Sequence, residues 1–103
     1  MTPVSLGLVT TGPTVPLIND PGFVVRASKI LFRARNANTL PVSIGRVGFT
    51  AGGAGMIAEV LKPGSGFSDF VLTESEANDL YPTQYAISPG TGGEGVYVTY
   101  WVR

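Results

Sequence analysis

The sequence contains no cysteine and no histidine. Disulfides are therefore excluded as a source of stability, and the thiol and imidazole groups that serve the commonest hydrolase designs and soft metal sites are missing. Absence of cysteine does not name a compartment, since disulfide-free proteins work inside and outside the cell. Charge is also scarce, at 14% of residues, with seven basic and seven acidic side chains. A balanced, sparse charge gives no general pull toward nucleic acid or anionic lipid, and it leaves a surface that is readily buried against another protein. No apolar run approaches the ~18 residues of a membrane helix. The start at Met1-Thr2-Pro3-Val4 lacks the basic segment of a signal peptide. The expectation is a soluble protein made in the cytoplasm, with neither nucleic acid nor membrane as a partner.

What is present is an ordered composition: 44% apolar residues, with 14 Gly and 8 Pro. A chain of 103 residues has room for one core. Domains of this size bury a modest fraction of their surface and often gain stability from disulfides, metals or association. With the first two set aside, association with other chains is the remaining support.

The dominant periodicity is two. Val96, Val98, Tyr100 and Val102 fall on one side of a strand, and Tyr97, Thr99, Trp101 and Arg103 on the other. A second alternation places Ile30, Phe32 and Ala34 inward and Lys29, Arg33 and Arg35 outward. Leu31 interrupts the polar side, which predicts partial cover on that face too. Further strand-like runs are Val4 to Val9, Thr14 to Ile18, Phe23 to Arg26, Val42 to Val47, Met56 to Leu61, Phe67 to Leu72 and Tyr85 to Ile87. Gly-, Pro- and Asn-rich turns separate them. The expected fold is all-β, an antiparallel β-sandwich resembling a jelly roll, with seven to eight short strands. Only Thr73 to Leu80 reads as helical, a single turn capped by Thr73 through Glu76.

Residues 1–22 carry Pro3, Pro13, Pro16 and Pro21, and proline cannot donate to a central ladder. This region is expected to form an edge strand or an arm laid on a neighbouring subunit, with residues 23–103 as the sandwich. On the second reading, a chain lacking residues 1–20 still folds but associates poorly. Charges are segregated: Arg26, Lys29, Arg33, Arg35 and Arg46 precede Asp69, Glu74, Glu76, Asp79 and Glu94. The two sets either neutralise one another within the fold or form opposite flanks that pair between copies.

Neither candidate for chemistry is compelling. Glu74, Glu76 and Asp79 cluster in sequence and offer oxygen ligands to a hard cation or a carboxylate pair for acid–base work, but their spacing matches no EF-hand loop and a polar turn does not shift a pKa. Gly90-Thr91-Gly92-Gly93-Glu94-Gly95 matches G-x-G-x-x-G, yet it leads into a strand where a dinucleotide site requires a helix. A loop is the expected reading. No catalytic, cofactor-binding or metal-ligating residue is assigned.

Residues 23 to 103 carry, in order, a basic strand Ile30 to Arg35, an Asn-rich turn Asn36 to Thr39, the strand Val42-Ser43-Ile44-Gly45 and a Gly-rich loop Thr50 to Gly55. Leu61-Lys62-Pro63-Gly64, Asp79-Leu80-Tyr81, Tyr85-Ala86-Ile87 and the last strand Val96 to Val102 follow. In this order the segments resemble a family of small tailed-bacteriophage virion proteins, departing from its simplest pattern in the Pro-rich start and in a longer segment before the last strand. The resemblance implies a β-sandwich that cements or decorates an icosahedral head, or forms part of a fibre. On that basis the expected partner is the major capsid protein. The expected state is a homo-oligomer, a trimer by preference, on the capsid surface of a virion assembled in the host cytoplasm. Candidate contact residues are Val4, Leu6 and Leu8 of the arm, the basic Arg26, Arg33, Arg35 and Arg46, and the aromatic Tyr97 and Trp101. Tyr97 and Trp101 carry the alternative as well, a receptor- or glycan-binding fibre module in which they stack on sugar rings.

Overall fold

A computed structural model describes residues 3–36, 38–61, 64, 66, 68–74, 80–89 and 94–103. Seven strands form where the alternating runs lie: β1 (Pro3–Val9), β2 (Ala27–Ala34), β3 (Val42–Arg46), β4 (Met56–Val60), β5 (Asp69–Thr73), β6 (Tyr85–Ser88) and β7 (Val96–Val102). They make two antiparallel sheets, one of order β1-β7-β2-β5 and one of order β4-β3-β6. The chain is all-β and sandwich-like.

The inner faces supply the core. Ile30, Phe32, Val96 and Val98 of the larger sheet and Val42, Ile44, Val60 and Ile87 of the smaller are fully enclosed. Each such side chain contributes about 1.5–3 kcal/mol on burial. Phe70 stacks on Phe32 with centroids 6.3 Å apart, and Phe23 meets Tyr100 edge-on at 6.1 Å.

Two of the strand-like runs are not strands. Between Pro13 and Pro16 the chain turns, with Val15 N–H donating to the Gly12 carbonyl, because each proline removes a ladder donor. Leu17 is buried in the core, and its N–H donates to the Tyr85 carbonyl of β6 at 2.9 Å. The segment therefore lies against the edge where an eighth strand would complete the smaller sheet of an eight-stranded jelly roll. Phe23 to Arg26 also fails to pair as a strand. Pro21-Gly22 turns the chain, Phe23 N–H returning to the Asp20 carbonyl, and the ladder begins at Ala27. Of the expected helical turn, Thr73 ends β5 and residues 75–79, including Glu76, lie outside the described residues. A short 3-10 turn, Pro82–Gln84, precedes β6 instead.

Over β3 and β6 the outer face of the smaller sheet is covered by its own chain, so that Ser43 and Ala86 are buried, while Ile57 and Glu59 of β4 stay exposed. Phe49, in the loop joining β3 to β4, is buried and lies where a Cβ on Gly45 would be, 2.5 Å from the ring carbon Cγ. Gly45 is thus a site of close approach: only a residue without a side chain admits the ring.

Candidate protein-binding face

The outer face of the four-stranded sheet is different in kind. Strand register sets its outward side chains in three rows running from β1 through β7 and β2 to β5. The first row is Leu8, Tyr97, Arg33, Asp69; the second Ser5, Thr99, Leu31, Val71; the third Pro3, Trp101, Lys29, Thr73. Antiparallel pairing forces these alignments, because successive residues point to opposite sides and register fixes which ones stand together. Leu8, Val71 and Tyr97 are exposed at 39%, 45% and 47%, and Leu31, Thr99 and Trp101 are half-buried. The other large exposed apolar side chains, Val24, Leu40, Val47 and Ile57, belong to loops or to β4.

Two polar contacts knit the face together. Arg33 Nε lies 3.7 Å from Asp69 Oδ1, an exposed pair worth at most about 1 kcal/mol. The Lys29 ammonium sits 4.2 Å from the Trp101 ring centroid, a cation–π contact that covers one ring face.

The candidate contact residues separate into groups. Tyr97, Trp101, Leu8 and Arg33 come together on this face. Val4 and Leu6 do not: they pack against the core, since Val4 pairs opposite Tyr100 on the inner side and a bulge between Ser5 and Gly7, with Gly7 at φ +73°, lets Leu6 turn inward as well. Arg26 is held by Glu74 at 3.2 Å, and Arg103 reaches the same Glu74 oxygen at 3.2 Å. Arg46 ends β3 in the other sheet, with its guanidinium carbon 5.5 Å from the Tyr85 ring centroid. Arg35 is half-buried just after β2, where its charge favours the ionised form of Glu94. The basic residues are thus distributed over both sheets and do not form one flank. Acidic and basic halves of the sequence meet within the chain because β2 and β5 are neighbours.

Sequence reading did not find Val71 as part of the face, although Leu31 had signalled cover there. The uninterrupted run Phe70-Val71-Leu72 is the available sign of an apolar residue on each side of β5. It also missed a buried polar cluster at the start of β7. Glu94 is 5% exposed; its Oε1 accepts a hydrogen bond from the Thr39 hydroxyl at 2.7 Å. That bond is the largest cause of a carboxyl pKa held below the ordinary glutamate value. Glu94 Oε2 is buried and has no hydrogen-bond partner among the described residues. Beside it Asn38, also buried, bonds to the backbone of Leu61 and Gly95. Of the glycine-rich match, residues 90–93 lie outside the described residues, while Gly95 is packed so that an added Cβ would stand 2.7 Å from the Val9 carbonyl oxygen.

Among the described residues no three acidic side chains converge, and no helix is long and apolar enough to cross a membrane. Comparison with protein-family models, curated proteins and solved structures gives no significant match. The outer face of the four-stranded sheet is the part of the surface best suited to binding: apolar at several points, with its charges set in register.

Proposed function

We propose that this chain is a structural subunit of a virus particle, a cement or decoration protein that stabilises a bacteriophage head through contacts between subunits. The observation that carries the reading is the outer face of the four-stranded sheet, where Leu8, Leu31, Val71, Tyr97 and Trp101 present apolar and aromatic surface, whereas on the opposite face of the sandwich Phe49 covers the centre of β3. Aromatic residues ringed by few charges are what protein interfaces select. The jelly-roll strand order supports it by analogy, since that architecture recurs in viral capsid domains, as does the resemblance of residues 23–103 to small virion proteins. The mechanism is mass action: a ligand that binds only the assembled shell stabilises it by RT ln(1 + [L]/Kd).

The glycan-binding alternative is less well supported, because the Lys29 ammonium occupies a face of Trp101 that a sugar platform needs open. The test is made on particles. Virions carrying the protein should resist heat and loss of salt better than virions from which its gene is deleted, and the protein should be present in purified particles in many copies. Equal resistance of the two kinds of particle removes the cementing role.

A further inference from the structure

The outer face is complementary to itself. In each of its end rows β7 supplies an aromatic ring and β2 a cation: Tyr97 beside Arg33, and Trp101 beside Lys29. The middle row pairs Thr99 with Leu31 and is uncharged. Two copies can be laid face to face about a two-fold axis in two ways that respect the strand direction. With the axis across the strands, the end rows exchange: Arg33 of one copy comes opposite Lys29 of the other, and like charges meet. With the axis along the strands, midway between β7 and β2, rows are kept and columns exchange. Tyr97 then faces Arg33 of the second copy, Trp101 offers the ring face that its own Lys29 leaves open to the second copy's Lys29, Thr99 faces its Leu31, and β1 lies over β5, with Leu8 opposite Asp69 in its pair with Arg33. Four ring–cation oppositions replace two cation–cation ones, and like charges opposed across an interface are what suppresses a wrong docking.

We infer that a second copy of this chain docks on the outer face of the four-stranded sheet, in an isologous pair whose two-fold axis runs parallel to the strands between β7 and β2. The inference rests on the reading above in treating that face as a docking face, and it names the occupant. Strand spacing and rise give the face a plan area of about 400 Å² per copy, about half the ~800 Å² per partner of a standard interface. The pair is therefore weak in dilute solution and favoured where copies are held close together, as on a lattice.

The absence of native cysteine makes the geometry directly readable. Chains carrying Thr99→Cys alone and Leu31→Cys alone are treated with a short bis-maleimide, which spans the ~10 Å between facing sheets that a disulfide does not, separately and as a mixture, with folding of each verified by circular dichroism. A covalent dimer in the mixture, with its loss in either chain alone, is the expected result. Cross-linking of either chain with itself selects the other axis and overturns the inference. Sedimentation velocity on the unmodified protein, up to millimolar concentration, should show a concentration-dependent dimer; a monomer throughout, or a trimer, also overturns it. A monomer would leave the assembly role standing, because that role is read from particles. A dimer whose protein is missing from virions would leave the pair standing and remove the role.

Discussion

Asn38 and Gly95 exchange hydrogen bonds in both directions: the Asn38 side-chain amide donates to the Gly95 carbonyl at 2.9 Å, and the Gly95 N–H donates to Asn38 Oδ1 at 2.9 Å. A side chain here imitates a strand neighbour, and its second amide hydrogen reaches the Leu61 carbonyl at 2.8 Å. The loop after β2, the end of β4 and the start of β7 are joined at one buried amide. Asn38→Ala leaves the Gly95 N–H and the Leu61 carbonyl without their partner, while the Gly95 carbonyl keeps the Arg35 N–H at 3.2 Å. At about 1–3 kcal/mol for each buried polar group so orphaned, and with water able to reach some of them, the expected loss is about 3 kcal/mol in urea unfolding. Asn38→Asp keeps the acceptor but turns a carboxylate toward two carbonyls, and should cost at least as much at neutral pH.

Gly45→Ala should destabilise by about 1–3 kcal/mol, the usual cost of overpacking, because the new methyl meets both the Phe49 ring and the Gly55 carbonyl oxygen, the latter 2.6 Å away. Phe49→Leu in the same chain should return part of that loss by freeing the space above β3. The thermal midpoints of the two single variants and the double variant form the cycle that measures this coupling. Simple additivity would show that the ring and the glycine do not depend on each other.

Glu94 makes stability depend on acid in a direction that follows from its lowered native pKa. A carboxyl that binds protons less tightly in the folded chain than in the unfolded one contributes stability that is fully present above the ordinary glutamate value. The contribution is lost as pH falls from there through the lowered native value. The stability difference between the native sequence and Glu94→Gln should therefore shrink on acidification below the ordinary range, and Thr39→Val should weaken the same dependence by removing the principal hydrogen bond. Unfolding curves at several pH values measure it; a difference that does not change with pH would contradict the assignment.

Removing residues 1–20 should unfold the domain. The sequence alone left two readings for this segment, an edge strand of the sandwich or an arm whose loss is felt between subunits. In the structure β1 is an edge strand paired along its length with β7, Val4, Leu6 and Val9 pack on the core, and Leu17 lies within it. Losing several partly or fully buried side chains at about 1.5–3 kcal/mol for complete burial approaches the 5–15 kcal/mol that holds a typical domain together. Circular dichroism of the truncated chain at low concentration is the measurement. A folded, sharply melting product would restore the arm.

Strands whose two faces differ were legible from sequence. In β2 and β7 the alternation of Ile30, Phe32, Ala34 and of Val96, Val98, Tyr100 is a direct record of which side is enclosed. Where proline intervenes, the same apolar composition misleads: Val15 and Leu17 look like strand residues, but between Pro13 and Ile18 the bond from Leu17 N–H to the Tyr85 carbonyl is the one made to β6 among the described residues. The binding face was half legible, since Tyr97 and Trp101 follow from the period of β7. Their alignment with Arg33 and Lys29 depends on register between strands more than sixty residues apart, which composition does not encode. Glu94 and Asn38 gave no sign of burial, because a polar side chain in a turn looks the same in sequence whether it meets water or a backbone amide.

The position of β7 orders events in time. It lies between β1 and β2, so neither has its inner neighbour until residues 96–102 have been made. On the ribosome the first strand must wait for almost the whole chain behind it. A loop of more than eighty residues then has to close before the first β1–β7 bond forms, an entropic cost met ahead of any reward. Folding is consequently slow, and β1 stays unpaired until β7 is available. During that interval the apolar sides of β1 and β2 stand open to other nascent chains, and at high expression this segment is where aggregation should begin.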